Sequence, residues 1–438
     1  MAPPLLSFYG DDFTGSTDVM EALASHGLRT VLFTRMPDAE EYRQFAGYRA
    51  VGLAGTSRSQ TPAWMEAHLR PALAWLKGLG AAHCHYKVCS TFDSSPGTGS
   101  IGRAIDIGFE VFAQPAVPLV VGAPQLRRYT AFGHLFAGYQ GQVHRIDRHP
   151  VMSRHPVTPM KESDLRLHLG RQTEQPIHLV GLDALASPAA DGHGDGPRGI
   201  VLFDVVDAHS QRAVGDHLLR LAQRTGPFVA GSSGVEYALL QAWIAVGTAQ
   251  KDAPFPRLGK VDRMLAVSGS CSPTTERQIR HALSCGFDGI AIDPVSLVAS
   301  DADVRIAALV DDGAARLDAG RSVIVYSALG GGTDRGPELD ADPDARNRLG
   351  RALGRIMRAL IERCRLRRVI LAGGDTSSHA LSELGILALT TRFPLRATPG
   401  SPLCTAHGGP EAMHGLEIAM KGGQVGNDDY FVALRDGT

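Results

Sequence analysis

Short apolar runs alternate with longer amphipathic segments along most of the chain. The runs at residues 5–9, 30–33 and 50–54 have the length and the β-branched or aromatic character of strands, whereas the apolar residues of segment 62–79 recur at helical spacing. Alternating strands and helices predict largely parallel sheets flanked by helices, with ligands outside the carboxyl ends of the strands. We therefore expect an α/β fold.

Three segments interrupt this alternation. Residues 127–159 are rich in Arg, His, Gly and Pro and are too long for an ordinary connection, so we predict a functional loop or a hairpin excursion. Residues 186–199 predict a disordered tip. Residues 247–261 are polar, contain two prolines and lack periodicity, which is typical of a domain boundary. We expect two domains, 1–250 and 258–438, each with a largely parallel sheet.

Composition narrows the classes of function. The chain has 438 residues, 44% of them hydrophobic, which suffices for sizeable cores. Its 44 basic and 45 acidic residues nearly balance, so no global field draws it to nucleic acid or to a membrane surface. Its apolar runs are shorter than a membrane span, and its N-terminus lacks the features of a signal peptide. We expect a cytoplasmic protein that holds anionic ligands at local sites.

Polar side chains cluster at the ends of predicted strands in the N-terminal half. Asp11 and Asp12 follow the first strand, Arg58 follows the third, and the loop from Lys87 through Asp93 follows the fourth. Cations can clamp a carboxylate and acids can accept from hydroxyls, so this set suits a small, hydroxylated, anionic molecule. Taken alone, the two adjacent aspartates are equally well explained as an N-terminal helix cap.

Three glycine- or serine-rich turns follow predicted strands in the C-terminal half: SGSCS at 268–272, GGDTSS at 373–378 and KGGQVG at 421–426. Glycine lets a ligand approach the backbone closely, and the free N–H groups of a helix N-terminus attract anions. Each turn alone is also explained by a change of chain direction before a helix. None matches the P-loop or the GxGxxG pattern. Together they predict a phosphate-binding site.

The segment RIDRHPVMSRHPVTP admits two interpretations. His149 and His155 lie near Asp147, which suggests a metal site, but their spacing matches no standard metal motif and each precedes a proline. We favour hydrogen-bonding or anion-binding roles for the histidines. Arg145 and Arg148 could clamp a carboxylate or a transferring phosphoryl group, and solvation at the surface is the alternative.

Taken together, these motifs resemble the four-carbon acid sugar kinase family. The resemblance rests on GDDFTGSTD, KVCSTFDSSPGTGSIG, RHPVMSRHPVTPM, GSSG, SGSCS, GGDTSS and KGGQVG, which occur in the family's order over nearly the whole chain. The opening differs from the family's usual ADDFTGA, with Gly10 and Ser16 at the positions of two alanines. The resemblance implies a two-domain α/β kinase that uses ATP on aldonic acids such as threonate and erythronate, or on their 3-oxo relatives.

The resemblance also implies that the N-terminal domain binds the acid sugar and the C-terminal domain binds ATP. The acid-sugar residues implied by the resemblance, together with three added from the residue patterns, are Asp11, Asp12, Lys87, Ser90, Thr91, Asp93, Arg58, Arg145 and Asp147. The ATP residues are Ser268, Gly269, Ser270, Gly373, Gly374, Asp375, Thr376, Gly422 and Gly423.

We predict an ATP- and Mg²⁺-dependent kinase that phosphorylates a hydroxyl of a small sugar acid in carbohydrate-acid catabolism. Phosphoryl transfer depends mainly on positioning and charge neutralisation, which glycine turns, a divalent ion and basic side chains provide. Asp12 or Asp93 would orient or deprotonate the acceptor hydroxyl. Lys87 and Arg148 would hold the carboxylate or the phosphoryl group, and Asp375 would hold Mg²⁺.

Two other classes of function remain as alternatives. One is a non-catalytic sugar-acid binding protein, and the other is a metal-dependent hydrolase or aldolase that uses the His-rich segment. We expect the ligand sites at the cleft between the two domains. The expected partner is a small-molecule sugar acid, with no nucleic acid and no membrane, and a homodimer is compatible with the sequence.

Overall fold

The computed structural model describes residues 2–185, 198–339, 342, 344–395, 398 and 400–438, with the backbone only at 337 and 374–378. Residues 186–197 of the predicted disordered tip lie outside the described part of the chain. Contacts divide the chain into two compact units, Met1–Ala253 and Pro254–Thr438. Among the described residues, no helix combines the length and the apolar character needed to cross a membrane.

The strands of the N-terminal unit are short and mostly apolar. They are β1 (Leu6–Gly10), β2 (Thr30–Phe33), β3 (Ala50–Ala54), β4 (His83–Lys87), β5 (Ala116–Val120), β6 (Arg128–Ala131), β7 (His134–Tyr139), β8 (Gln142–Arg145), β9 (Ile177–Val180), β10 (Gly199–Phe203) and β11 (Phe228–Gly231). Within the described residues of this unit, eight of them form one sheet in the order β2-β3-β1-β4-β11-β5-β10-β9, and all neighbours are parallel. Its central strands are buried throughout, as expected when helices cover both faces.

Helices connect these strands, and several of them begin at side-chain caps. They are α1 (Phe13–Ser25), α2 (Ala39–Arg43), α3 (Pro62–Gly78), α4 (Ile101–Phe112), α5 (Leu165–Leu169), α6 (Ala208–Arg224) and α7 (Gly234–Ala245). Asp12 caps α1, Thr61 caps α3 and Ser100 caps α4, each by accepting a hydrogen bond from a backbone N–H in the first turn. The caps determine where each helix starts after the preceding strand or loop.

The segment that interrupts the alternation forms an antiparallel sheet of its own. Strand β7 pairs with β6 on one side and with β8 on the other, so residues 128–145 are a hairpin excursion, the second of the two predicted alternatives. After β8 the chain forms two short 3₁₀ turns, Ile146–Arg148 and Met152–Arg154. The arginines and histidines of this segment therefore lie on a structured loop.

The C-terminal unit has a mixed sheet. Its strands are β12 (Leu265–Ser268), β13 (Phe287–Ala291), β14 (Ser322–Tyr326), β15 (Arg368–Ala372), β16 (Ala388–Phe393), β17 (Leu403–His407) and β18 (Glu417–Lys421). Among the described residues of this unit, the order is β13-β14-β12-β15-β18-β17-β16. The first five are parallel, whereas β17 runs antiparallel to both of its neighbours, β18 and β16. The predicted α/β class with largely parallel sheets is confirmed.

Helices also pack on the C-terminal sheet. They are α8 (Pro273–Ser284), α9 (Ala302–Asp318), α10 (Ala345–Cys364), α11 (Gly374–Leu384) and α12 (Tyr430–Asp436). Helix α9 was not predicted, because its buried face is short and includes the small residues Gly313 and Ala314. Ile279 of α8 and Phe431 of α12 pack with Ile370 of the sheet in one apolar cluster. This cluster supports the strand ends that carry the glycine turns.

Candidate active site

The charged residues of the N-terminal unit meet because β3, β1 and β4 are neighbours. Gly10 ends β1 and pairs with Ala54 of β3 and with Lys87 of β4. The backbone N–H of Asp11 donates to the carbonyl of Lys87 at 2.9 Å, and that of Arg58 donates to the carbonyl of Asp11 at 3.1 Å. Because these parallel strands end at one edge of the sheet, the predicted residues Asp11, Arg58 and Lys87 lie in one cluster.

Arg58 joins two carboxylates. Its Nη1 lies 2.7 Å from Oδ2 of Asp12, and its Nη2 lies 3.0 and 3.1 Å from the two carboxylate oxygens of Asp93. A planar guanidinium suits this bridge because its donors point in fixed directions. The side chain of Asp12 is 30% exposed and that of Asp93 is 1% exposed. A ligand can therefore reach Asp12, whereas Asp93 holds Arg58 in place.

Hydroxyl groups complete the surroundings of Asp93. Oγ1 of Thr91 donates to its Oδ1 at 2.5 Å, and Oγ1 of Thr158 donates to its Oδ2 at 3.1 Å. The neighbouring Ser90 is half-buried, and its hydroxyl forms no hydrogen bond within the described part of the chain. Thr158 was not predicted as a site residue. It belongs to the quoted RHPVMSRHPVTPM motif, but only the fold places it beside Asp93.

Lys87 is buried among aspartates. Burial lowers the pKa of its ammonium group, but the charges of Asp18, Asp11 and Asp12 raise it by more, so the net shift is upward. The side chain therefore stays protonated and neutralises part of the acidic cluster. In this position Lys87 interacts with the protein's own carboxylates.

Asp18 is a buried acid of this cluster that was not predicted as a site residue. It accepts a hydrogen bond from the hydroxyl of Ser233, and burial raises its pKa against the opposing effects of Lys87 and Ser233. A Cβ built on Gly15 would lie 3.0 Å from Nζ of Lys87. Asp18 follows Gly15 by three residues on α1, so both face the lysine. This spacing of three residues in a predicted helix is the signal in the sequence that could have identified Asp18 as a site residue.

The two adjacent aspartates differ in protonation. Oδ1 of Asp11 is buried and has no hydrogen-bond partner among the residues that the structure describes, and burial together with the charge of Asp12 raises the pKa of Asp11 to about 7. Burial also raises the pKa of Asp12, but Arg58 and Lys87 lower it by more, and the result lies below the ordinary value. Asp12 is therefore ionised at neutral pH, whereas Asp11 exchanges its proton near neutrality.

The predicted substrate residues Arg145 and Asp147 bind each other. Nε and Nη2 of Arg145 each lie 2.7 Å from a carboxylate oxygen of Asp147. Arg148 is exposed, and it forms no ion pair with any residue that the structure describes. Within the described residues, none of the three forms a hydrogen bond or ion pair with the cluster around Arg58. The sequence pattern identified the charges but not their pairing, because that depends on the path of the loop.

The two histidines of the same segment organise its backbone. Nδ1 of His149 accepts from the N–H groups of Val151 and Met152, each at 3.2 Å, and Nδ1 of His155 accepts from the N–H of Thr158 at 3.1 Å. These bonds match the hydrogen-bonding role favoured from the sequence. In the described ranges, no group of three or more His, Cys, Asp or Glu side chains is placed to hold a metal ion.

In the C-terminal unit the three predicted turns lie side by side. Ser268, Ala372 and Lys421 end the neighbouring strands β12, β15 and β18 and are register partners. The N–H of Gly269 donates to the carbonyl of Ala372 at 3.1 Å, and that of Gly373 donates to the carbonyl of Lys421 at 2.9 Å. Helices α8 and α11 begin after the first two turns, so their N-termini lie at this edge. The arrangement suits a phosphate group.

The third turn is anchored to α8. The carbonyl of Gly423 accepts from Oγ of Ser272 at 2.6 Å and from Oγ1 of Thr275 at 3.0 Å. A Cβ on Gly423 would lie 2.8 Å from Oγ of Ser270, whereas a Cβ on Gly422 would meet no atom within 4 Å. Gly423 is therefore required for close packing of the turns, and Gly422 faces open space.

Lys421 is a buried cation that was not predicted as a site residue, although it begins the KGGQVG motif. Its Nζ donates to Oγ1 of Thr275 at 3.0 Å and lies 5.9 Å from the ring centroid of Tyr430. Burial lowers its pKa to about 8. No carboxylate of the described residues lies within ion-pair distance. An anion bound at the adjacent turns would supply the missing counter-charge.

Helix α11 begins at Gly374, and Gly373 before it has φ +126°, a conformation that favours glycine. The side chains of Asp375 and Thr376 lie outside the described part of the structure. The nucleotide contact of Thr376 and the Mg²⁺ contact of Asp375 therefore remain predictions. The backbone alone places their N–H groups in the first turn of a helix.

The two units match two family models. Residues 6–239 match the model described as a sugar-binding N-terminal domain, and residues 265–431 match the one described as a nucleotide-binding C-terminal domain. The acidic cluster lies in the first range, and the three glycine or serine turns lie in the second. Each matched range thus contains the group of residues whose chemistry suits its description.

Several proteins are similar to almost the whole chain. A 3-oxo-isoapionate kinase of Paraburkholderia graminis is 44% identical over 99% of this chain and 94% of its own length. A 3-oxo-tetronate kinase of Methylobacterium radiotolerans is 31% identical over 97% of each chain. Another, of Pseudomonas fluorescens, is 30% identical over 98% of this chain and 96% of its own. All three names describe kinases that act on oxo sugar acids.

Two solved structures share the fold. A Haemophilus influenzae protein matches with a TM-score of 0.73 and 23% identity, covering 98% of this chain and 99% of its own. A Salmonella typhimurium protein matches with a TM-score of 0.77 and 23% identity, covering 99% of each chain. At this identity the likeness concerns the fold alone.

Proposed function

Because this chain belongs to the four-carbon acid sugar kinase family and is a sugar-acid kinase, we propose that it transfers the terminal phosphoryl group of ATP to a hydroxyl of a small sugar acid. The acceptor is a four-carbon aldonate or a 3-oxo or branched relative. The observation that supports this most directly is the contrast between the units. One carries an accessible, ionised aspartate in a cluster of charges, and the other carries three register-matched turns suited to phosphates.

Asp12 is the proposed partner of the acceptor hydroxyl. Its carboxylate is ionised and partly exposed, and Arg58 fixes its orientation through a 2.7 Å contact. A carboxylate in this state can accept the hydroxyl proton as the phosphoryl group arrives. Asp93 is enclosed by Arg58, Thr91 and Thr158, so we assign it the role of holding Arg58. This choice separates the two aspartates that the sequence left as alternatives.

Lys87 and Arg148 receive different roles in this proposal. Lys87 balances the buried aspartates and so keeps Asp12 ionised in a crowded cluster. Arg148 is exposed and unpaired within the described residues, and we retain for it only a contact with the transferring phosphoryl group. The pairing of Arg145 with Asp147 engages the guanidinium that was predicted to clamp a substrate carboxylate.

ATP would be held at the three turns of the C-terminal unit. The N-terminus of α11 and the glycines at 373, 422 and 423 suit its phosphates, and Lys421 would gain a counter-charge. Asp375 would hold Mg²⁺, which neutralises charge on the phosphates during transfer. Ser270 and Ser272 hold the turns in place, because Oγ of Ser270 accepts from the N–H of Ser272 and Oγ of Ser272 donates to the carbonyl of Gly423.

The similarity values favour an oxo sugar acid as the acceptor. The 44% identity to a 3-oxo-isoapionate kinase exceeds the 31% and 30% to two 3-oxo-tetronate kinases, all over nearly complete chains. We therefore propose 3-oxo-isoapionate as the first acceptor to test and 3-oxo-tetronate as the second. Threonate and erythronate, the simpler aldonates, complete the panel.

The decisive experiment measures ADP formation from ATP and Mg²⁺ with each acid of this panel. The proposal expects one acid to stimulate ADP formation far above the acid-free rate, with phosphate recovered on the sugar acid. If the folded protein binds ATP and no acid of the panel stimulates ADP formation, the proposed acceptor class is wrong. If thermal unfolding shifts with a sugar acid but not with ATP, a non-catalytic binding protein is the better description.

A further inference from the structure

We propose that a cavity in the N-terminal unit is the subsite for the substrate's carboxylate, with Lys161 and Arg171 as the cations that hold it. The inference rests on the proposed function, because it identifies where the acid end of the sugar acid binds. The cavity measures about 200 Å³ and lies between the loop after β4, the end of the His-rich segment and helix α5 with the residues that follow it. Neither cation was a candidate in the sequence analysis.

The size and lining of the cavity suit a small polar anion. A single water needs only about 10–15 Å³ of such volume, so about 200 Å³ accommodates a small molecule. Two lining residues are cations, none is acidic, and Ser94, Ser95 and Gln172 add hydroxyl and amide groups. Such a set binds a carboxylate through charge and the neighbouring hydroxyls of a sugar acid through hydrogen bonds.

In the part of the chain that the structure describes, neither cation of the cavity has an acidic partner. Arg166, in the neighbouring helix α5, is by contrast paired with Asp164 at 2.7 Å. Lys161 and Arg171 are exposed and form no hydrogen bond or ion pair within the described residues. Oε1 of the nearby Glu162 accepts from the backbone N–H of Asp164 at 2.8 Å, and within the described residues Glu162 forms no ion pair with either cation. The cavity therefore presents positive charge.

The floor of the cavity is preorganised and uncharged. Oγ of Ser94 lies 2.9 Å from Nε2 of His168, and Nε2 of Gln172 donates to the same hydroxyl at 2.9 Å. Burial lowers the pKa of His168 to about 4, so its ring is neutral at pH 7. Ser94 and His168 are 3% and 6% exposed. These polar groups are already fixed by one another, which reduces the ordering that a ligand must impose.

The cavity is linked to the proposed acceptor aspartate. Thr158 lines it and donates to Asp93, which binds Arg58, which in turn binds Asp12. The proposal places the carboxylate of the sugar acid at Lys161 and Arg171, with its hydroxyls directed towards Thr158 and the linked groups at Asp12. Of the cations predicted earlier, Lys87 faces aspartates and Arg145 is bound to Asp147, so neither of these two competes for this role.

The test compares neutral variants of the two cations with matched surface controls. Lys161→Gln, Arg171→Gln and the double variant are assayed beside Lys251→Gln and Arg43→Gln, which alter exposed cations that lack partners elsewhere in the described N-terminal unit. We expect the KM for the sugar acid to rise about ten- to a hundredfold in the double variant, since bonds to a charged group are lost. The kcat and the KM for ATP should not change. Arg171→Lys should recover part of the affinity because it keeps the charge.

A charge-specific readout separates binding from structural damage. Calorimetry without nucleotide measures the affinity for D-threonate and for its uncharged amide. In the double variant the affinity for threonate should fall, whereas the affinity for the amide should not change. An unchanged preference, or equal losses for acid and amide, overturns the subsite. If the protein forms no ADP with any acid but the double variant still loses threonate binding, the kinase assignment fails and the subsite stands. If neither threonate nor any other panel acid binds to the wild-type protein, both fail.

Discussion

A Cβ built on Gly10 would lie 1.9 Å from Oγ of Ser16, so these two residues share one small space. Oγ of Ser16 donates to the carbonyl of Asp12 at 2.6 Å and thereby holds the start of α1. The related family motif has alanine at both positions. The two departures therefore form one compensating exchange, in which the serine hydroxyl occupies the space of the missing methyl group.

This relationship predicts strong coupling between the two positions. Gly10→Ala alone should reduce the free energy of unfolding by about 1–3 kcal/mol, because the added methyl group displaces the serine hydroxyl. Ser16→Ala alone should cost about 0.5–1.5 kcal/mol for the lost hydrogen bond. The double variant should be more stable than Gly10→Ala. Urea unfolding of all four proteins gives the coupling energy, and simple additivity would show that the two sites are independent.

Asp12 and Asp93 should respond differently to conversion to asparagine. Asp12→Asn should lower kcat by about 10²–10⁴, the range expected when a general base is lost, with ATP affinity unchanged. Asp93→Asn should mainly loosen Arg58, lowering the free energy of unfolding by about 1–3 kcal/mol and kcat by less than Asp12→Asn does. Steady-state kinetics and urea unfolding test both. Retained turnover in Asp12→Asn would exclude it as the base.

Asp11 should make stability depend on pH in a defined window. Its folded-state pKa of about 7 exceeds the ordinary 3.8, so in this window the folded state binds the proton that the unfolded chain has released. The free energy of unfolding contributed by this group therefore falls as pH rises from about 4 to about 7. Asp11→Asn removes this loss of stability. The free energy of unfolding of the variant, relative to that of the wild type, should therefore rise as pH increases from about 4 to about 7. Parallel pH profiles would contradict the raised pKa.

Lys421 should have an effect at alkaline pH. Its folded-state pKa of about 8 lies below the ordinary 10.5, so the unfolded chain binds more protons between these values. The wild type should gain stability relative to Lys421→Met as pH rises from about 8 to about 10.5. The gain should approach about 3 kcal/mol, at about 1.4 kcal/mol for each pKa unit. Saturating ATP should reduce the gain, because its phosphates would favour the protonated lysine.

Much of the site could be identified from the sequence, because its residues stand at predictable places. Asp11, Arg58 and Lys87 each follow or end a strand, and the turns at 269, 373 and 422 do the same. Local patterns locate such positions since strand ends and turn residues depend on near neighbours. Asp18, Thr158 and Lys421 were missed as site residues for the opposite reason. Each stands in a motif or at a helical spacing that the sequence shows, but its partner lies far away in the chain, so only the fold reveals the contact.

The limit of prediction from the sequence is clearest for the charged residues 145, 147 and 148. Their composition indicated an anion clamp, but the loop folds so that Arg145 binds Asp147. The cations that remain unpaired beside a cavity, Lys161 and Arg171, occur in segments without any motif of their own. Which charges pair depends on short distances in space. These distances are set by the path of the loop, which cannot be derived from the order of its residues.

The sequence by itself determined the α/β class, the family and the identity of the strand-end motifs, because periodicity, turn chemistry and motif order are properties of neighbouring residues. Only the tertiary structure decided which strand ends are adjacent, which aspartate is exposed, and which cations are already neutralised. The physical reason is that these properties depend on strand order, burial and distances between residues remote in sequence. Gly10 and Ser16 illustrate both contributions. The sequence shows two differences from the family motif, and the fold shows that these two residues share one space.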